Sequence, residues 1–542
     1  MTATAHLANT PARKISTGLT LGDLVERNAT CHRDEVAFDD GTRQLTHGAF
    51  FDRVRRLAHG LQVRGCQPQS RVAMLAMNRI EYFEFYGACE WAGFMATTVN
   101  YRLAPAEMRT QLASADPVVM LFEQEFEDII SQLRASLPGV SSWICIGPGV
   151  GGAEAYEDVL AAADPQAACQ RAGEDDIAHL IFTSGTTGQP KGCMISHRDS
   201  VNKGQMHAAE MGISPADRVL LTMPYFHVGA KGIQIGAAWR AARVIVHRSF
   251  DVARVLDTIE QQKVTLLHLA PTMVQMLLEH PEVETRDLSS VRVICYSAAP
   301  MPINVLRKGL ALMGNVFHQA YGQTEGAVSV LLRSQHRPDG DERERRWLQS
   351  VGQPIVGTQV RICDDEGRDV EPGQVGEIVY RGGTTFSGYW NDTAATLRTL
   401  RGGWVHSGDV GRFDEDGFLY LVDRKKDMIV SGGENIYSRE VEQALVQHSA
   451  VSEAAVIGVP DDKWGESVRA IVVLRVGARA SEAELIAHCR TLIASYKKPR
   501  SVRFVPELAK LHNGKVDKKL LRQRHGSGAD GADAQEQERD KA

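Results

Sequence analysis

Between about residues 71 and 322, short apolar runs alternate with longer helical stretches. β-branched and aliphatic residues fill 71–77, 177–182, 243–247, 265–269 and 291–296. After them come the longer stretches 80–92, 197–210, 251–262, 272–279 and 303–313. A strand buried on both faces reads as a nearly unbroken apolar run, and a parallel neighbour needs a helical crossover. The alternation therefore predicts repeated βα units around buried parallel strands.

After about residue 351 the pattern changes. Glu366-Gly367, Glu371-Pro372-Gly373 and Gly376 punctuate short strands, which predicts a smaller hairpin-rich sheet. After Asp423, strand-like 454–459 and 470–475 flank helical 438–448 and 481–494, as in a compact α/β domain of about a hundred residues. Residues 526–542 lack large hydrophobes and are expected to be disordered. No internal repeat is evident. The expected division is a flexible segment over 1–18, a large domain over 19–423, a C-terminal domain over 424–525 and a tail over 526–542.

A chain of 542 residues that is 43% hydrophobic can build a large core and is too long for one ordinary domain. The net charge of −6 gives no basic surplus for nucleic acid or an acidic membrane surface. The apolar runs fall short of the roughly 20 residues that span a bilayer. Arg13 and Lys14 precede no apolar segment of the kind a signal peptide needs. The nine cysteines are scattered, with no CxxC pair and no zinc spacing. Reduced, mostly buried thiols and a cytoplasmic location are expected.

The strongest local signal follows the apolar Leu180-Ile181-Phe182. It reads Thr183-Ser184-Gly185-Thr186-Thr187-Gly188-Gln189-Pro190-Lys191-Gly192. Glycines let a backbone approach a phosphate, hydroxyls and amides donate to its oxygens, and Lys191 adds a mobile positive charge. A Walker A loop needs Gly-Lys-Ser/Thr, and here Lys191 stands between Pro190 and Gly192. The segment instead resembles the signature loop of the adenylate-forming superfamily, which includes acyl-CoA synthetases, luciferases and the adenylation domains of peptide synthetases.

Further motifs follow in that family's order. Tyr321-Gly322-Gln323-Thr324-Glu325 resembles the motif in which the tyrosine lies on adenine, the threonine meets the α-phosphate and the glutamate holds Mg²⁺. An aromatic face and a hard carboxylate oxygen suit those roles. Gln319 and Ala320, just before it, join the nucleotide-binding set the resemblance implies. Ser297-Ala298-Ala299-Pro300 is similar to the small-residue turn bordering adenine, with Ser297 and Ala298 in place of the usual glycines. Asp409, in Ser407-Gly408-Asp409, matches the acid that binds the ribose hydroxyls, to which a carboxylate can offer two acceptors. Arg424 matches an arginine that reaches the same ribose, and Lys426 the hinge about which the C-terminal domain swings. Gly433, in Ser431-Gly432-Gly433-Glu434, matches a turn beside the pantetheine tunnel of coenzyme A. Lys515, in Asn513-Gly514-Lys515, matches the catalytic lysine, although the preceding Leu511-His512-Asn513 departs from the family's pattern. Lys518 and Lys519 also stand nearby, so an ordinary basic terminus is the competing reading.

The resemblance spans roughly residues 19–521. It implies an α/β fold with a large N-terminal part of wound parallel sheets plus a small barrel-like sheet, and a small mobile C-terminal α/β domain. It implies ATP, Mg²⁺ and coenzyme A as cofactors, and Lys515, Lys191 and Thr324 as catalytic residues. Pro224-Tyr225-Phe226-His227 is similar to the aromatic motif beside the acyl pocket, which makes Tyr225, His227, Val228, Gly229 and Ala320 the expected pocket residues. No acid follows in Val228-Gly229-Ala230, and a buried ammonium without a counter-ion is costly, so an α-amino acid is disfavoured. A small-molecule carboxylic acid, aryl or medium-chain, is the expected partner, with no nucleic acid and no stable membrane insertion. A homodimer is carried as an expectation. A carrier-protein thiol as acceptor, or a relative that has lost catalysis, remain alternatives at this stage.

Overall fold

The computed structural model describes residues 18–183, 190–299, 301–431, 434–461, 463–511 and 515–526. The chain divides into two compact units, one of Met1–Gln359 and Arg381–Val405, the other of Val360–Tyr380 and His406–Ala542.

The first unit is built on two wound sheets. In the nine-stranded sheet, Phe317–Gln323, Val293–Tyr296, Leu266–Leu269, Arg218–Leu221, Arg243–Val246 and Val36–Asp39 run parallel, in that order. In the eight-stranded sheet, Ile177–Thr183, Met95–Thr98, Arg71–Leu75, Val119–Glu123, Ser142–Ile146 and Glu154–Ala155 do the same. The strands are largely buried because helices cover both faces, and most of their residues are apolar. Leu266–Leu269 and Val293–Tyr296 are buried at every position. The expected helices appear as Ile80–Ala92, His197–Glu210, Val252–Gln262, Pro271–Glu279 and Ile303–Met313.

Local chemistry sets the helix ends. Ser196 and Asp199 exchange side-chain and backbone bonds at the start of His197–Glu210. The Asp251 carboxylate accepts from the Arg254 amide, and Val252–Gln262 stops at a left-handed Lys263.

A buried charge cluster pins two helices and a strand together. Lys231, on helix Val228–Trp239, places Nζ 2.7 Å from Oε1 of Glu90, on helix Ile80–Ala92. His179, on strand Ile177–Thr183, lies 2.8 Å from the same oxygen. Lys231 also donates to Gln234 Oε1 at 2.8 Å and sits 4.2 Å from the centre of the Tyr86 ring. Burial raises the Glu90 pKa, but Lys231 and His179 outweigh it and hold the group at about 2. A paired charge of this kind survives burial where a lone one would not.

The second unit contains a sheet in the order Glu434–Ile436, Ile429–Ser431, Gly465–Leu474, Val451–Asp461, with Ser501–Phe504 parallel to Gly465–Leu474. Helices Ser438–Val446 and Glu482–Leu492 pack on it through Val441, Leu445, Leu485 and Cys489. A small half-barrel sheet includes Leu419–Arg424, antiparallel to Trp404–Phe413. The architecture is the α/β arrangement expected, with wound parallel sheets, a small half-barrel sheet and a small C-terminal α/β sheet. Among the described residues no helix is long and apolar enough to cross a membrane.

Candidate active site

The phosphate-loop candidate hangs from a β-hairpin. Strand Ile177–Thr183 ends at Thr183, and the chain returns antiparallel as Lys191–Ser196, with Thr183 opposite Lys191. Ser184, Gly185, Thr186, Thr187 and Gly188 lie outside the described residues, as do Pro300 and Gly433. The return strand was not anticipated, because Lys-Gly-Cys-Met-Ile-Ser lacks the clean apolar–polar alternation of a half-buried strand.

The short strand Gly388–Tyr389 pairs with Lys191–Ser196 and places Tyr389 opposite Cys193. The Lys191 ammonium lies 5.0 Å from the centre of the Tyr389 ring, and the Tyr389 hydroxyl donates to Glu325 Oε1 at 2.6 Å. Lys191 and Glu325 are thus joined through one aromatic side chain. Tyr389 is buried, and burial followed by the Glu325 carboxylate pushes its pKa up, so its phenol stays a donor.

Thr324 and Glu325 form the tip of the hairpin between Phe317–Gln323 and Gly326–Leu331. At Gly322 the opposite strand passes so close that a Cβ would meet Gly326 O at 2.8 Å. Beneath the tip, the buried Lys203 donates to Thr324 O at 3.4 Å. Burial lowers its pKa, and Asp199, Cys193 and Glu325 oppose that shift. Neither Lys203 nor Tyr389 was recognised from sequence. Lys203 sits mid-helix, where a lysine ordinarily reads as solvated.

The turn after strand Val293–Tyr296 exposes Ala298 and Ala299. Ala298 takes φ +73°, a left-handed conformation that glycine adopts freely and alanine does not. Ser297 Oγ lies 2.8 Å from His268 Nε2. Gln319 is buried and accepts from the Tyr296 hydroxyl at 3.3 Å, while Ala320 and Tyr321 are partly open.

In the aromatic motif, His227, Val228 and Gly229 are partly exposed where helix Val228–Trp239 begins. Tyr225 is 1% exposed, and its hydroxyl donates to Leu221 O at 3.2 Å. Its amide donates to Asn78 Oδ1 at 3.0 Å, and Tyr86 donates to its carbonyl at 2.9 Å. Tyr225 therefore fixes the position of this turn.

In the second unit, Asp409 and Arg424 stand opposite each other on paired strands, with Arg424 Nε 2.6 Å from Asp409 Oδ1. Asp409 is buried, and its amide donates to Ser407 Oγ at 3.0 Å. Gly408, at φ +67°, makes the bend between them. Lys426 is exposed in the tight turn Lys425–Asp427, between Lys425, paired with Asp365, and Asp427, paired with Arg522. Lys515 is exposed beside a bridge between Lys510 and Val516, with its carbonyl accepting from Leu511 N at 2.7 Å. Lys518 is tied to Glu442 at 2.7 Å and to Ser438 at 2.6 Å.

Among the described residues no group of three or more His, Cys, Asp or Glu is arranged to hold a metal ion. A single carboxylate at a partly open hairpin tip, as at Glu325, suits Mg²⁺, which binds through one or two carboxylates plus substrate phosphates.

Residues 25–390 match the family described as AMP-binding enzyme, and residues 440–515 its C-terminal domain. A feruloyl-CoA synthase from Amycolatopsis sp is 37% identical over 507 residues, covering 93% of this chain and 99% of the relative. An indoleacetate–CoA ligase from Aromatoleum aromaticum is 34% identical, covering 93% and 98%. Among solved structures, the amide bond synthetase McbA from Marinactinospora thermotolerans superposes with a TM-score of 0.85 at 31% identity, covering 94% of this chain and all of that one, 100%.

Proposed function

The chain belongs to the AMP-binding enzyme family, and from that premise we propose that it is an ATP-dependent, AMP-forming acid–CoA ligase. It uses ATP, Mg²⁺ and coenzyme A. In the first half-reaction a substrate carboxylate oxygen attacks the α-phosphorus of ATP. The bond to pyrophosphate breaks, and an acyl-adenylate forms. In the second, the coenzyme A thiol attacks the acyl carbon, the bond to AMP breaks, and the thiol proton passes to solvent. The acid is an aryl or medium-chain one. Relatives named for feruloyl-CoA and indoleacetate support the aryl choice.

The observation that carries the site is the Lys191–Tyr389–Glu325 chain at the foot of the phosphate loop. Glu325 would hold Mg²⁺, which when bound would supply positive charge against the phosphates. Lys191 faces the phosphates and Thr324 the α-phosphate, while Lys203 steadies the hairpin tip from below. Phosphoryl chemistry of this kind needs positioning and electrostatic stabilisation more than an acid–base pair. Asp409 and Arg424 take the ribose. Lys515 acts in adenylation, and the backbone at Lys426 turns to admit coenzyme A. Tyr321, with Ser297, Ala298, Ala299, Gln319 and Ala320, borders the adenine, and His227, Val228 and Gly229 border the acyl group. A cytoplasmic location and a homodimer are part of the same reading.

The test is acid-dependent exchange of pyrophosphate into ATP, together with AMP release in the presence and absence of coenzyme A. Exchange and CoA-dependent AMP formation with at least one acid are expected. Absence of both across a broad panel of acids would overturn the reading.

A further inference from the structure

His268, Cys295 and His318 stand abreast on three adjacent parallel strands, in register His268 to Cys295 and Cys295 to His318. Side chains abreast on neighbouring strands share one face of a sheet. Helices His197–Glu210 and Val228–Trp239 cover that face, packing Ala208, Ala230 and Ile233 into the same cluster as Cys295. The helix Val228–Trp239 turns its glycines toward imidazoles. A Cβ at Gly229 would lie 3.2 Å from His268 Cε1, and one at Gly232 would lie 2.9 Å from His207 Nε2. Gly229 itself is partly exposed and belongs to the acyl end of the proposed site.

The polar atoms of this row are incompletely used. His268 is 2% exposed; Nε2 pairs with Ser297 Oγ at 2.8 Å, whereas Nδ1 is buried without a hydrogen-bond partner. His207 is partly exposed, and no described residue hydrogen-bonds its ring. Burial keeps these rings neutral, pushing His207 down to about 3 and His268 to about 4. A neutral imidazole offers one donor and one acceptor. The charged or titratable groups acting on this row are other histidines, Lys203 and Arg333, with no carboxylate among them.

We infer that His207 and the His268–Ser297 pair read a hydroxyl group on the acyl portion of the substrate, so that the acid activated here is a hydroxylated one. The inference rests on the acid–CoA ligase reading and on the acyl group lying beside Gly229. A hydroxyl both donates and accepts, and so complements two neutral imidazoles. An ammonium would meet like charge and no counter-ion. A bare alkyl or phenyl end would leave the His268 nitrogen dry and unpaired. Sites built to bond a substrate hydroxyl reject the analogue lacking it far more strongly than apolar pockets reject an extra methylene.

The test is a set of acid pairs matched in size, such as phenylpropenoic against 4-hydroxyphenylpropenoic acid and octanoic against 8-hydroxyoctanoic acid. Acyl-CoA formation is compared as kcat/KM ratios within each pair. The wild-type ratio should favour the hydroxylated member of one pair by about 100-fold or more. His207→Phe and His268→Phe should bring that ratio toward unity, and Ser297→Ala should lower it in part while disturbing the packing least. Turnover of both members of every pair at equal kcat/KM would overturn the inference and leave the ligase reading standing. So would a strong preference that all three folded variants retain. Failure to form acyl-CoA from any acid would count against the ligase reading itself, and the inference would fall with it.

Discussion

The hydroxyl of Tyr389 donates to Glu325 across 2.6 Å, although 64 residues separate the two in the chain. A carboxylate held this way presents its remaining lone pairs in a fixed direction. Tyr389→Phe should therefore raise the Mg²⁺ concentration needed for half-maximal ATP–pyrophosphate exchange by about 10-fold, as loss of outer-shell partners typically does. Glu325→Gln should lower exchange by about 100-fold or more even at saturating Mg²⁺. Exchange close to wild type in Glu325→Gln would remove that residue from the site.

Asp409→Ala should weaken ATP binding by about 10-fold while leaving acid binding nearly unchanged, since one charge-assisted contact to the ribose is lost. The change also frees Arg424 from its 2.6 Å partner. Arg424 is exposed, so folding should survive. Calorimetric titration of both ligands checks the result, and an unchanged ATP affinity would count against the ribose assignment.

Lys515 and Lys426 should fail in opposite half-reactions. Lys515→Ala should slow acyl-adenylate formation by about 1000-fold, the scale of losing one charged stabiliser of a developing charge. Thioester formation from supplied acyl-adenylate should persist. Lys426→Pro fixes φ near −65°, so acyl-adenylate should still form while its capture by coenzyme A fails. Single-turnover assays of each half-reaction decide this. Equal losses in both halves for both variants would exclude separate roles.

The buried histidines make the fold sensitive to mild acid. Burial lowers His197, His247, His268 and His336 to about 4, and His207 and His318 to about 3, from an ordinary value of 6.5. Below pH 6.5 the unfolded chain binds protons that the folded chain refuses until pH 3–4. Stability should therefore fall with falling pH through that window, by up to about 1.4 kcal/mol per pH unit for each histidine. Glu90, held at about 2 against an ordinary 4.5, adds its loss only below pH 4.5. Urea midpoints measured between pH 7.5 and 4.5 should decline steadily, and a flat profile would contradict the burial of these rings.

The parallel-sheet scaffold was legible because most of its strands are predominantly apolar runs and its crossovers are long helices. Ile80–Ala92, His197–Glu210 and Ile303–Met313 coincide with the stretches read from periodicity. The motifs that carry the family likeness were equally plain, since their chemistry is contiguous. What escaped was chemistry assembled across the chain. Tyr389 sits on a two-residue strand beside Lys191–Ser196, and the Phe386 amide just before it donates to Glu325 O at 2.8 Å. Lys203 looks solvated until its helix is laid under the hairpin tip. His207, His268, Ser297 and His318 share no motif and meet only through strand register and helix packing. Tyr225 shows the reverse case. Two residues before His227 in sequence, it turns into the core instead.

One methyl group remains in an awkward place. Ala298 occupies a left-handed conformation where the family pattern has glycine. An L side chain there costs about 1–2 kcal/mol, and in exchange the turn has far fewer backbone states to wander through. Ala298→Gly should relieve the strain and also unlock the segment between Tyr296 and the helix at Ile303. The melting temperature then reports which weighs more here, the strain of a single carbon atom or the backbone freedom its loss restores.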